Sequence, residues 1–168
     1  MIKIGEMAPE FELESTEGKV ALRDYRGKWV VLFFYPMDFT FICPTEVTEF
    51  NRQIEKFKEA NAVVLGCSID TVPVHNAWIR ELKGLKYPLL SDINKEVGRM
   101  YNVLIEEQGI HLRGLFIIDP DGMLQYQVIH GLNVGRSVSE VYRVLKALQT
   151  GGLCPVEWKP GEKTIEVK

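Results

Sequence analysis

Apolar residues arrive along this chain in two rhythms. Continuous runs at 29–35 and 62–69 have the length and composition of strands buried on both faces. Between them Val47, Phe50, Ile54 and Phe57 recur three and four residues apart, which predicts a helix over 44–60 with one inward stripe. Strand, helix and strand in that order form a βαβ unit, expected to be right-handed and parallel. Upstream, a short strand pair is expected near 11–14 and 19–22, where Glu10, Glu12 and Glu14 alternate with Phe11 and Leu13 as on a half-solvated strand. Helical segments follow near 73–83 and 94–101, and Trp78, Ile79 and Leu82 sit at helical spacing and read as packing. Runs at 114–118 and 123–129 flank Asp119-Pro120-Asp121-Gly122, a hairpin turn signal. A last helix spans about 138–149, with Val141, Val144, Leu145 and Leu148 on one face and Gly151-Gly152 ending it. The whole is an α/β pattern without linker or repeat.

At 168 residues the chain suits one domain with a substantial core. Its net charge of −3, with no Lys/Arg cluster, removes the electrostatic case for nucleic acid. No run approaches the ~18 apolar residues of a membrane span, and the first residues lack the regions of a signal peptide. An odd cysteine count without secretory features points to a reducing compartment, so a cytoplasmic location is expected. His75, His111 and His130 have no metal-ligand spacing, so neither metal nor other cofactor is expected.

The candidate chemistry lies where the first long strand ends. Pro36 and Thr40 sit in the loop, and Cys43 follows where the helix is about to start. A thiol there meets unpaired backbone N–H groups and the positive end of the helix dipole, which favour thiolate. Cys43 lies four residues before Val47, so its sulfur faces inward, at the floor of a pocket. Burial alone would leave such a thiol inert. A working thiolate therefore needs a cation as well, expected from an arginine elsewhere in the chain. Pro44 suits the first helical turn. A dithiol oxidoreductase would carry a second cysteine three residues on, where this chain has Glu46. Cys67 falls in the apolar run 62–69 and reads as inert packing, whereas Cys154 lies in a Gly/Pro-rich tail, 151–161, of a kind able to move. A reactive cysteine in a pocket and a second on a tail suggest an attacking and a resolving thiol.

These motifs resemble the typical two-cysteine peroxiredoxins, of the alkyl hydroperoxide reductase and thioredoxin peroxidase group. The resemblance runs through Ala8-Pro9, the Phe33-to-Glu46 block with Pro36, Thr40 and Cys43 at the family spacing, Ser68-Ile69-Asp70, His75-Asn76-Ala77-Trp78, Arg113-Gly114-Leu115-Phe116, Val134-Gly135-Arg136-Ser137, and Cys154-Pro155 with Trp158-Lys159-Pro160-Gly161. It implies a thioredoxin-like fold with an N-terminal extension and inserted helix and strand elements, one domain over 1–168 whose segment 151–168 is a mobile tail. It implies that Cys43 attacks a hydroperoxide and becomes a sulfenic acid, that the Cys43 N–H, Thr40 and Arg113 stabilise the transition state, and that Pro36 shields the pocket. Glu46 and Arg136 resemble the pair that orients the active-site arginine. Cys154 is implied to serve the Cys43 of a partner chain in an antiparallel dimer, five dimers closing into a ring, with thioredoxin or a flavoprotein disulfide reductase as electron donor. The peroxide-sensitive members carry a Gly-Gly-Leu-Gly loop and a C-terminal helix ending in Tyr-Phe. Here the loop reads Lys83-Gly84-Leu85-Lys86 and neither element is present, so resistance to overoxidation is expected. The alternatives are a thiol–disulfide reductase, which Glu46 argues against, and an oligomeric holdase chaperone or redox relay.

Overall fold

The computed structural model describes residues 2–167. The chain divides into two compact units at Arg136/Ser137. The first opens with the hairpin β1 (Glu12–Ser15) and β2 (Gly18–Ala21) and a 3-10 turn at Leu22–Tyr25. Then comes the βαβ unit: β3 (Trp29–Phe34), α1 (Cys43–Glu59) and β4 (Ala62–Ser68). β3 and β4 pair in parallel from Trp29 opposite Ala62 to Phe34 opposite Cys67. After α2 (Val72–Glu81) follow β5 (Leu89–Ser91), α3 (Glu96–Met100), the small hairpin β6 (Leu104–Ile105) and β7 (Ile110–His111), then β8 (Arg113–Ile118) and β9 (Leu124–His130). Seven strands form one mixed sheet in the order β2-β1-β5-β4-β3-β8-β9, and β6-β7 stand apart. β3 and β4 are therefore central, which explains why their sequences are apolar throughout.

Successive residues of β3 point to opposite faces of the sheet. Phe33 stacks on Phe50 of α1, ring centres 4.6 Å apart, over the buried stripe Val47, Phe50, Ile54 and Phe57. Phe34 joins a second cluster with Cys67, Tyr101, Val103 and Phe116. The hairpin turn forms as its sequence predicts. Asp119 Oδ1 accepts the N–H groups of Asp121 and Met123 at 3.0 and 2.9 Å, and Gly122 takes φ +87°. Three strands, β5, β6 and β7, and the 3-10 turn at Leu22–Tyr25 have no counterpart in the sequence expectation. β5 spans three residues and the other two strands span two each, too short to display a period. The helix expected over 94–101 is the five-residue α3, entered through Lys95 in the left-handed region.

The second unit holds α4 (Val138–Thr150) and the segment after it. Ser137 caps α4 by accepting the Glu140 N–H at 3.2 Å, and Gly151 closes it at φ +65°. Val141 and Leu145 are buried, Val144 and Leu148 half-buried. The Gly/Pro-rich tail has its own structure. Ile165 N–H donates to the Leu153 carbonyl at 2.8 Å, and Trp158 is buried with its Nε1–H on the Glu162 carbonyl at 3.1 Å. Among the described residues no helix is long and apolar enough to cross a membrane.

Candidate active site

β3 delivers the chain into the loop 35–42, and α1 begins at Cys43. The residue before it, Ile42, has helical dihedrals and offers no side-chain cap, and Pro44 occupies the first turn. The Thr45 and Glu46 N–H groups turn back to the Ile42 carbonyl at 3.0 and 3.3 Å. No side-chain cap neutralises the positive end of α1, so its field falls on whatever stands there. What stands there is the Cys43 thiol, fully buried.

The cation required by that burial is Arg113, the first residue of β8. Its Nη1–H points at Cys43 Sγ, 3.4 Å away, and also reaches Glu46 Oε1 at 2.7 Å, while Nε–H donates to the Leu132 carbonyl at 2.9 Å. Arg136 grips the same carboxylate: its backbone N–H and Nε–H donate to Glu46 Oε2 at 2.8 and 2.6 Å, and Nη2–H to Oε1 at 3.1 Å. The remaining Nη1 donates to the carbonyls of Phe34 and Gly114 at 2.7 and 2.6 Å, and the guanidinium carbon lies 5.3 Å from the Phe33 ring centre. Gly114 must stay small, since a Cβ there would lie 2.4 Å from Val103.

Glu46, Arg113 and Arg136 are all buried. Burial by itself raises Glu46, but the Arg136 hydrogen bonds and charge, helped by Arg113, reverse it and hold the carboxyl below its usual range. Burial lowers Arg136, partly offset by Glu46. Both partners are ionised, because a guanidinium starts so high that burial leaves it charged. Two guanidinium groups and one carboxylate leave one positive charge uncompensated, and the sulfur beside Arg113 is where an anion would balance it.

A cavity of about 210 Å³ opens onto this cluster, lined by Pro36, Thr40, Phe41, Ile42, Arg113, Leu132 and Asn133. Pro36, Thr40 and Arg113 are thus brought to one mouth, but Cys43, expected at the pocket floor, does not line this cavity; its Sγ lies 3.4 Å from Arg113 Nη1 and is fully buried. The Thr40 hydroxyl, expected as a donor to the peroxide, instead donates to the Met37 carbonyl at 2.9 Å, which leaves its lone pairs as acceptors.

The loop's shape depends on residues that the sequence reading did not assign to the site. Asp38 is buried, accepting the Tyr35 O–H at 2.7 Å and facing His75 Nδ1 at 2.6 Å. His75 Nε2–H donates to the Leu90 carbonyl at 2.9 Å, and the Asp38 N–H donates to Asp70 Oδ2 at 2.9 Å. Burial raises Asp38, with His75 and Tyr35 pulling the other way, and burial also pushes the Tyr35 hydroxyl well up. Ligand atoms of Asp38, Asp70 and His75 lie within 4.8 Å of one another, a spacing a metal could use, but hydrogen bonds occupy them. Tyr35 and Asp38 lie three residues apart in the loop, yet Asp70 and His75 come from 32 and 37 residues beyond Asp38, out of reach of any local pattern. Like His75, His111 is buried and hydrogen-bonded, with Nε2 3.0 Å from Asp92 Oδ2.

The other cysteines differ in setting. Cys67 is fully buried in β4, and burial first, then the Asp92 charge, push its thiol well up. Cys154 is half-buried just beyond α4, its Sγ 3.4 Å from Thr150 Oγ1 and 3.7 Å from the Ala147 carbonyl.

With this geometry, the likenesses to known proteins are specific. Residues 4–127 match the AhpC/TSA family. The chain is 53% identical to a protein called putative peroxiredoxin YkuU of Bacillus subtilis, covering 96% of this chain and 97% of that one. It is 46% identical to the thioredoxin peroxidase of Echinococcus granulosus, covering 97% and 92%. The crystal structure of reduced Plasmodium vivax 2-Cys peroxiredoxin superposes with a TM-score of 0.90 at 37% identity, covering 96% of this chain and 91% of that one. The chain belongs to the AhpC/TSA family, among the two-cysteine peroxiredoxins, which are oxidoreductases that act on peroxides through a thiol. Its sheet and helices are the thioredoxin-like fold of that class.

Proposed function

We propose that this protein reduces hydrogen peroxide and organic hydroperoxides with Cys43 as nucleophile and Cys154 as resolving thiol. The observation that carries the reading is the Arg113 Nη1–H 3.4 Å from the buried Cys43 sulfur, in a cluster short of one negative charge. As thiolate, Cys43 attacks one peroxide oxygen. The S–O bond forms, the O–O bond breaks, and water or alcohol leaves with the proton the thiol has given up. Arg113 and the Cys43 N–H face the charge that spreads along S···O–O, and they bind it more tightly in the transition state than in the ground state. Thr40 acts as acceptor for the peroxide O–H, since its own hydrogen is held by Met37. Pro36 presents no N–H to the mouth and keeps water from competing there. Glu46 and Arg136 hold Arg113 in place.

Cys154 then displaces hydroxide from the sulfenic acid of a partner chain's Cys43 within an antiparallel dimer, and dimers close into a ring of five. Disulfide formation requires Cα atoms within about 7 Å. The first turn of α1 therefore unwinds, and the segment from Gly151 moves as the mobile tail of a single peroxiredoxin domain. A thioredoxin-type dithiol, or a flavoprotein disulfide reductase, recycles the enzyme, and its location is cytoplasmic. Non-reducing electrophoresis after one equivalent of peroxide tests this reading. Wild type should run as a covalent dimer, Cys43→Ser should consume no peroxide, and Cys154→Ser should oxidise once without cross-linking. A disulfide confined within one chain would overturn the pairing, and peroxide reduction by Cys43→Ser would overturn the function.

A further inference from the structure

Cys154 stands at the wrong end of a helix for a thiolate. It follows the C-terminus of α4, where carbonyl oxygens gather and the dipole is negative. One of those carbonyls, Ala147 O, lies 3.7 Å from Sγ and can only accept a hydrogen bond. Whatever lets this sulfur carry charge during resolution must be a donor within reach.

Thr150, the last residue of α4, is such a donor. Its Oγ1 lies 2.7 Å from Ala147 O, 3.2 Å from the Gly152 N–H and 3.4 Å from Cys154 Sγ. A hydroxyl has one hydrogen and two lone pairs. Gly152 fills one lone pair, and the Cys154 S–H can also reach Ala147 O, so the Thr150 hydrogen itself has two positions. In one, the Thr150 hydrogen goes to Ala147 O and the free lone pair accepts the Cys154 S–H. In the other, the hydrogen turns to a deprotonated sulfur. The left-handed Gly151 turns the chain so that Gly152 and Cys154 both reach this oxygen.

We propose that the Thr150 hydroxyl serves Cys154 in both protonation states, accepting its S–H in the resting enzyme and donating to its thiolate as the proton leaves, before the tail moves to meet the sulfenic acid. In the attack that follows, the Cys154–Cys43 S–S bond forms and the S–O bond of the sulfenic acid breaks. Hydroxide leaves and is neutralised by the proton Cys154 has released. The inference rests on the reading of Cys154 as the resolving thiol.

The test follows disulfide formation by rapid quench after one equivalent of hydrogen peroxide, and in parallel samples given excess hydrogen peroxide the sulfinic acid content of Cys43 is read by mass spectrometry. Thr150→Val keeps the shape and loses the hydroxyl, Thr150→Ala favours the helix end, and Thr150→Ser keeps the hydroxyl. Val and Ala should each slow disulfide closure about tenfold, the size of one hydrogen bond to a charged group. They should also shift the pH profile of closure upward and raise the sulfinic fraction at Cys43. Ser should restore all three readouts, which a purely structural role for the methyl group would not produce. Closure at the wild-type rate in both Val and Ala, or a Ser variant as slow as they are, overturns the proposal. A wild type that forms no Cys43–Cys154 disulfide would instead overturn the assignment of Cys154 itself.

Discussion

Cys43 and Cys67 are equally and completely buried, and they lie in the same βαβ unit. One has Arg113 3.4 Å from its sulfur at an uncapped helix N-terminus. The other sits mid-sheet, where burial and the Asp92 charge both favour its neutral form. Exposure therefore does not separate the two cysteines; the sign of the nearest charge does. A buried thiol is a packing residue by default, and the guanidinium beside Cys43 is what supports the proposal that it is the nucleophile.

The comparison sharpens when the charge balance around Cys43 is altered at constant burial. Glu46→Gln leaves two buried guanidinium groups without their carboxylate, and removing one member of such a pair costs about 3–5 kcal/mol. The sign of its pH dependence follows from the lowered Glu46 carboxyl. Its stabilisation is present in full above the ordinary value of 4.5 and is lost as pH falls through the lower folded value. Urea titrations should show the gap between wild type and Glu46→Gln wide at pH 7 and closing below pH 4.5; a gap independent of pH would mean the carboxylate is not what binds the two arginines. A smaller effect is expected at Thr40. Thr40→Val removes the acceptor for the peroxide and should slow Cys43 oxidation about tenfold by stopped flow, while Thr40→Ser should not. The smallest effect belongs to the inert partner of the comparison. Cys67→Ala should cost about 1 kcal/mol in stability and leave peroxide reduction unchanged; a change in kcat/KM would break the contrast.

Legibility followed the range of the interaction. β3 and β4 were readable as continuous apolar runs and α1 from its helical period, whose inward face accounts for the burial of Cys43. That face also carried a signal left unused: Glu46 and Gln53 lie on the apolar stripe at its spacing, and both are buried. A carboxylate on a buried stripe implies cationic partners. Which arginines meet it was knowable only from the family resemblance, because Arg113 and Arg136 come from 67 and 90 residues away. The buried links of Asp38 to His75 and of His111 to Asp92 span 37 and 19 residues and left no local trace. The tail was read from composition as poorly ordered, and composition does not reveal that Trp158 is buried and hydrogen-bonded.

The central claim is that the Arg113 charge, not burial, makes Cys43 reactive, and Arg113→Met tests it most directly. The measurement is the second-order rate of Cys43 oxidation by hydrogen peroxide at pH 7, in a Cys154→Ser background so that only the first step is read. Removing one donor of this kind should slow the step about 10²–10³-fold, with Cys67 unoxidised throughout. Oxidation of Cys43 at the wild-type rate in Arg113→Met would contradict the account.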